Sequence, residues 1–174
     1  MRIDSALRLG DTSRVMFWSA GEAVTYDMVS EQVTSRLSLW PDLSNSSACY
    51  LHPVTGRLVV FAGCQRREFL PRIIQSSDVT SHYLFNSTTL TDLCPVDAAV
   101  VWGGRLHLFT GCQVWVDGRG TFPVSQWGFP CFVDAAFAYD ETLYVFKGDN
   151  YFKRSGNITT RGKILDWNID LVQC

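Results

Sequence analysis

The sequence predicts an all-β chain folded as a four-bladed β-propeller. Two observations lead there. A segment of about forty residues recurs four times, and each copy holds short runs rich in β-branched and aromatic residues. The chain of 174 residues is long enough for one sizeable core. Apolar residues make up 47% and charged residues 18%, a composition that folds rather than staying disordered.

The repeat is clearest in the second half. Val96-Asp97-Ala98-Ala99-Val100 returns as Val133-Asp134-Ala135-Ala136-Phe137, and a glycine stands fourteen residues after each Asp, at Gly111 and Gly148. Two weaker copies lie upstream. One starts Ile3-Asp4-Ser5-Ala6-Leu7 and reaches Gly21 with three extra residues. The other starts Ser46-Ser47-Ala48-Cys49-Tyr50 and reaches Gly63 with two extra, and it has Ser47 where the others have Asp. The anchors are thus Asp4, Ser47, Asp97 and Asp134, at intervals of 43, 50 and 37 residues. Trp40 and Trp127 each lie seven residues before an anchor, and Trp167 lies seven before Cys174. Three equivalent blade junctions are expected at these tryptophans. The corresponding blades run over residues 1–43, 44–93, 94–130 and 131–174.

Within each copy the second strand is plain. Arg57-Leu58-Val59-Val60-Phe61, Arg105-Leu106-His107-Leu108-Phe109 and Thr142-Leu143-Tyr144-Val145-Phe146 are bounded by turn residues. A third short strand follows each glycine. The Asp-Ala-Ala segments are apolar at consecutive positions, as a strand covered on both faces requires. Their small side chains allow close approach at a crowded axis. Four such units close into a ring; a β-sandwich with accidental similarity is the competing architecture.

Six cysteines, Cys49, Cys64, Cys94, Cys112, Cys131 and Cys174, form no C-x-x-C pair, so zinc ribbons and thioredoxin-like motifs are excluded. An even, scattered set suits disulfides in an oxidising compartment. Three of five asparagines, Asn45, Asn86 and Asn157, head N-glycosylation sequons. Although the opening Met1-Arg2-Ile3-Asp4-Ser5 lacks the apolar core of a secretion signal, these features point to the extracellular space or the outer face of a membrane. A hairpin brings the start of its first strand beside the end of its second. Cys49 is therefore expected to pair with Cys64, and Cys94 with Cys112. Cys131 and Cys174 then pair with each other, or Cys174 takes a partner outside this sequence.

The formal net charge of −2 disfavours a general nucleic-acid binder, and no apolar run approaches a membrane span. There is no H-E-x-x-H, no G-x-S-x-G and no phosphate-binding glycine loop. The chain is therefore read as a binding protein and not an enzyme. Lys147-Gly148-Asp149 matches an integrin-binding tripeptide, but it falls where a strand-ending turn needs Gly and Asp. Lys147, Lys153, Arg154, Arg161 and Lys163 crowd the last repeat and are read as a solvated face.

These segments, with Tyr144-Val145-Phe146-Lys147-Gly148-Asp149-Asn150-Tyr151-Phe152 as the best copy, resemble the hemopexin-like domain. The resemblance spans the chain and is closest in the fourth repeat. It implies a module that recognises an extracellular or cell-surface protein. The alternatives it carries are haem or porphyrin binding and substrate recognition within a larger extracellular metalloprotease. It also implies a structural channel cation, calcium by its preference for oxygen ligands, held by the main-chain carbonyls of Asp4, Ser47, Asp97 and Asp134. Haem would need axial ligands from His52, His82 and His107, the chain's three histidines. In that family a cysteine before the first blade often pairs with one ending the fourth. Cys174 stands at that end, and no cysteine precedes the first repeat.

Overall fold

Strands covered on both faces fix the architecture. The computed structural model describes residues 2–38, 45–70, 84–167 and Ile169. They form four sheets of four antiparallel strands, each a meander in chain order. The first holds β1 (Ser5–Arg8), β2 (Arg14–Ser19), β3 (Glu22–Asp27) and β4 (Gln32–Ser38). The second holds β5 (Ala48–Leu51), β6 (Leu58–Ala62), β7 (Gln65–Phe69) and β8 (Leu84–Thr89). The third holds β9 (Ala98–Trp102), β10 (Arg105–Thr110), β11 (Gln113–Val116) and β12 (Gly120–Pro123). The fourth holds β13 (Ala135–Tyr139), β14 (Thr142–Lys147), β15 (Asn150–Ser155) and β16 (Ile158–Lys163). The inner strands touch in the cycle β1, β5, β9, β13 and back to β1, so the sheets close as a four-bladed propeller.

The core is four inter-blade layers rather than one centre. Odd and even residues of a strand face opposite neighbours. In the fourth blade Ala135, Phe137, Tyr144 and Phe146 pack on Ile3, Val15 and Phe17 of the first. Ala136, Leu143 and Val145 pack on Val100, Phe109 and Val114 of the third. In the first blade Leu7, Met16 and Trp18 turn the other way, onto Cys49, Leu58 and Val60 of the second. Tyr50, Val59 and Phe61 then meet Val96, Ala99 and Leu108. Covering both faces is why these strands read as continuous apolar runs.

Trp127 and Trp167 hold equivalent places. Each ends a short 3₁₀ helix, Val124–Trp127 and Ile164–Trp167, that follows the outermost strand of its blade. Trp167 reaches across the ring closure, with Phe17 at 5.8 Å and Tyr26 at 5.4 Å between ring centres. Trp40, His82 and Cys174 lie outside the described residues.

The turn between the second and third strands has a positive φ at its first residue in every blade: Ala20 at 50°, Gly63 at 60°, Gly111 at 58° and Gly148 at 60°. Ala20, not Gly21, is therefore the first blade's counterpart of the repeat glycine. The repeat carries two extra residues there, not three.

The disulfides differ from the expected pairs. They join Cys64 to Cys94 and Cys112 to Cys131, with Cα atoms 5.0 Å and 4.3 Å apart. Cys49 is a buried free thiol. Its strand turns that side chain toward the first blade, 3.8 Å from Ser5 Oγ, so it faces away from the turn that carries Cys64. Cys112 does not reach Cys94 because its turn lies against the chain leaving its own blade, where Cys131 sits. Burial pushes the Cys49 thiol up to about 12.

Candidate functional site: the two ends of the axial channel

The inner strands give the propeller an axial channel, and the repeat anchors mark the end where those strands begin. Each anchor N–H donates to the second strand of its own blade: Asp4 to Trp18 O at 2.9 Å, Ser47 to Phe61 O at 2.9 Å, Asp97 to Phe109 O at 2.8 Å and Asp134 to Phe146 O at 2.7 Å. The anchor peptides are therefore held alike in all four blades.

Their side chains are engaged elsewhere. The Asp134 carboxylate accepts the Gly148 N–H at 2.6 Å, Asp97 that of Gly111 at 2.7 Å, and Asp4 that of Ala20 at 3.0 Å. This explains the fourteen-residue Asp-to-glycine spacing of the last two blades: the carboxylate caps the turn that the glycine makes possible. Ser47 departs from the pattern. Its hydroxyl donates to Val96 O at 2.6 Å and so reaches the next blade. Burial raises the Asp97 carboxyl, while the Gly111 N–H opposes the shift. The Arg2 guanidinium lies 3.1 Å from Asp134 and 3.6 Å from Asp4, bridging the last blade and the first. Arg2 is two-thirds exposed, so this bridge contributes little stability.

The opposite end opens into a cavity of about 470 Å³ that runs up the channel from the turns that follow the inner strands. Its wall is apolar and includes Leu7, Tyr50, Val100 and Phe137. Its rim is polar, with Arg8 and Asp11 from the first blade, His52 from the second, Trp102 from the third, and Asp140 and Glu141 from the fourth. The Arg8 guanidinium lies 5.2 Å over the Tyr139 ring. The Trp102 indole donates to Glu141 O at 2.8 Å. His52 Nδ1 accepts the N–H groups of Val54 and Thr55, each at 3.3 Å, and so shapes its own turn.

The other sequence candidates fall elsewhere. His107 is buried between the rings of Trp102 and Trp127, each 5.6 Å away. Its Nδ1 lies 2.9 Å from Arg105 O, and burial lowers its pKa from 6.5. Among the described residues His52 is the one histidine lining the cavity, so no pair of axial haem ligands converges there. No group of three His, Cys, Asp or Glu side chains that could hold a metal occurs among the described residues. Lys147-Gly148-Asp149 is occupied as a turn. Gly148 is bound to Asp134, Asp149 lies 2.8 Å from Lys163, and Lys147 donates to Phe132 O. Arg161 donates to Asn150 Oδ1, and Arg154 to Trp127 O. Asn45, Asn86 and Asn157 are all exposed.

Sequence reasoning missed Arg2, the Arg8–Tyr139 contact and Trp102. Arg8, Trp102 and Tyr139 each end an inner strand, a position that can be counted forward from its anchor, whereas Arg2 lies two residues before the first anchor.

No family model matches the chain, and no curated protein matches it in sequence. Solved structures do. The hemopexin fold protein CP4 from cow pea is 17% identical, with 95% of each chain covered and a TM-score of 0.72. A plant albumin from Cicer arietinum showing hemagglutination is 14% identical, covering 96% of this chain and 95% of its own, with a TM-score of 0.75. A plant lectin with two metal binding sites, also from Cicer arietinum, is 15% identical over 96% and 95%, with a TM-score of 0.70. At these identities the likeness speaks for the fold, and with the closed ring of four meanders it makes this chain a four-bladed propeller of the hemopexin fold.

Proposed function

We propose that the chain is a non-enzymatic extracellular module that recognises a protein partner at the cavity end of its channel. The cavity at that end carries the reading. It has an apolar wall, a polar rim and room for an inserted group. Its rim holds three carboxylates, Asp11, Asp140 and Glu141, against the single guanidinium of Arg8, which already lies on Tyr139. That balance favours a basic side chain of the partner, entering with its aliphatic stem against the apolar wall. Two disulfides and three exposed sequons support an extracellular setting.

At the anchor end the same reading includes a structural calcium ion on the axis, held by the main-chain carbonyls of Asp4, Ser47, Asp97 and Asp134. Hard oxygen donors suit that ion. The support is that the four anchor peptides are held alike, while the anchor side chains are bound to other groups.

Trp102 sits in the rim and reports on occupancy. A short lysine-bearing peptide, titrated at low salt, should change the tryptophan emission saturably, and its glutamate counterpart should not. Substituting Trp102→Phe should abolish the change. Glu141→Gln with Asp140→Asn should weaken binding by about tenfold, one 1.4 kcal/mol step. No saturable response to the lysine peptide would refute the reading.

A further inference from the structure

We infer that Asn86 carries an N-linked glycan whose role in the fold is to block the open edge of the second blade. Among the described residues no further strand pairs with β4, β8, β12 or β16, and an open edge is a template for pairing with another chain. Three of the four edges carry their own protection. Strand β4 has the exposed Arg36, β12 ends in Pro123, and β16 has Arg161 and Lys163. Strand β8, Leu-Phe-Asn-Ser-Thr-Thr, has no charge and no proline, and all six of its residues are exposed. Its first two are large and apolar, Leu84 at 54% and Phe85 at 52% exposure.

The register narrows the exposed template further. Phe69 pairs with Leu84 and Glu68 with Asn86, so Phe85 is the extra residue of a bulge, and Arg57 covers one face of its ring at 3.6 Å. From Asn86 onward the pairing is regular: Arg67 with Ser87, Arg66 with Thr88 and Gln65 with Thr89. A foreign strand could add along this stretch, and this stretch is the sequon Asn86-Ser87-Thr88. The other two exposed sequon asparagines, Asn45 and Asn157, lie in turns, where a glycan would block no ladder.

The modification is ordinary group transfer. The first sugar's C1 bonds to Asn86 Nδ2 as its bond to the pyrophosphate of a lipid-linked oligosaccharide donor breaks. Nδ2 loses one proton, and the lipid pyrophosphate leaves. A branched, hydrated group in mid-strand then excludes a neighbouring strand as an edge lysine would. This inference is independent of what binds in the channel.

The test uses the full chain secreted from a eukaryotic host. Peptide mapping after glycosidase treatment should find Asn86 converted to Asp, which marks an occupied site. Thr88→Ala removes the sequon and keeps the strand. It should at least double the mass seen by light scattering at concentrations where the glycosylated protein is unchanged. Thr88→Lys also removes the sequon but puts a charge on the edge, and it should keep the mass of the unsubstituted protein chain. An unmodified Asn86 in the secreted protein would overturn the inference. So would a Thr88→Ala variant whose size matches that of Thr88→Lys.

Discussion

The carboxylate of Asp134 accepts a hydrogen bond from the N–H of Gly148 at 2.6 Å, across the open end of the β13–β14 hairpin. Gly148 has a positive φ of 60°, and the Asp134 carboxylate satisfies its N–H in that turn. Asp134 is itself buried and also faces Arg2 and Lys147. Asp134→Ala would strand the glycine donor, so it should cost about 1–3 kcal/mol. Asp134→Asn keeps an acceptor oxygen and should cost less. Urea unfolding reads both, with midpoints falling at constant slope.

The two disulfides are related by the repeat. Cys64 and Cys112 each directly follow the turn glycine of one blade, and Cys94 and Cys131 each stand three residues before the anchor of the next. Each bond therefore staples one blade to its successor. The bonded residues are 30 and 19 apart, and opening either loop should cost about 3 kcal/mol in chain entropy. Cys112→Ser with Cys131→Ser should lower the thermal midpoint, and so should Cys64→Ser with Cys94→Ser. Cys49→Ala should leave non-reducing peptide maps unchanged, and the Cys49 thiol should react with a thiol reagent only after unfolding.

That pairing shows how much was legible. The repeat was readable because the anchor, the turn glycine and the two-faced strands are each demanded by backbone geometry. The same register placed Cys94 and Cys131 in one class and Cys64 and Cys112 in another, which is enough to pair them between adjacent blades. Hairpin proximity within one blade misled, because Cys49 faces the previous blade while a turn cysteine faces the next. Ala20 hid for a different reason. An alanine at positive φ leaves no local mark, and the neighbouring Gly21 drew the register one residue too far. The rim positions could be counted from the anchors, but the contact between Arg8 and Tyr139 could not, because the two meet only through closure of the ring, 131 positions apart in sequence.

Trp167 and Trp127 are equivalent in place but not in burial. Trp167 is 8% exposed and contacts the rings of Phe137, Tyr144, Phe146 and Tyr151 as well as those of the first blade. Trp127 is half-buried, under Arg154. Trp167→Ala should cost about 3–5 kcal/mol, as loss of a large core ring does, and Trp127→Ala less. Equal losses in chemical denaturation would show that ring closure is no more demanding than the other junctions.

His107 gives the fold an acid sensitivity. Burial, aided by the charges of Arg119 and Arg105, holds its folded pKa below the ordinary 6.5, against the bond to Arg105 O. Unfolding frees the imidazole to take a proton, so the unfolded state binds more protons in this window. The contribution is whole above about pH 6.5 and is lost as the pH falls toward the folded value. The midpoint of urea unfolding should therefore drop between neutral and mildly acid pH, and His107→Gln should flatten that segment of the profile. A variant with the parent's slope would assign the sensitivity to another group.

The calcium ion proposed at the anchor end of the channel would leave a thermodynamic signature. An ion bound only to the folded state stabilises it by about 2.7 kcal/mol at a hundredfold excess over Kd. For a chain of this size each kcal/mol raises Tm by roughly 2–4 °C. Calcium should raise Tm and a chelator should lower it, with magnesium, which prefers a tighter octahedral shell, a poor substitute. The discriminating variant is Asp97→Ser, which gives the third blade the anchor that Ser47 already provides in the second. It removes the cap on Gly111 and so lowers Tm outright. The difference between calcium and chelator should nevertheless persist, because the proposed ligand is the main-chain carbonyl, which survives the substitution. If that difference vanishes in Asp97→Ser, the carboxylate is the ligand. If it is absent from the unsubstituted protein as well, the axis holds no calcium.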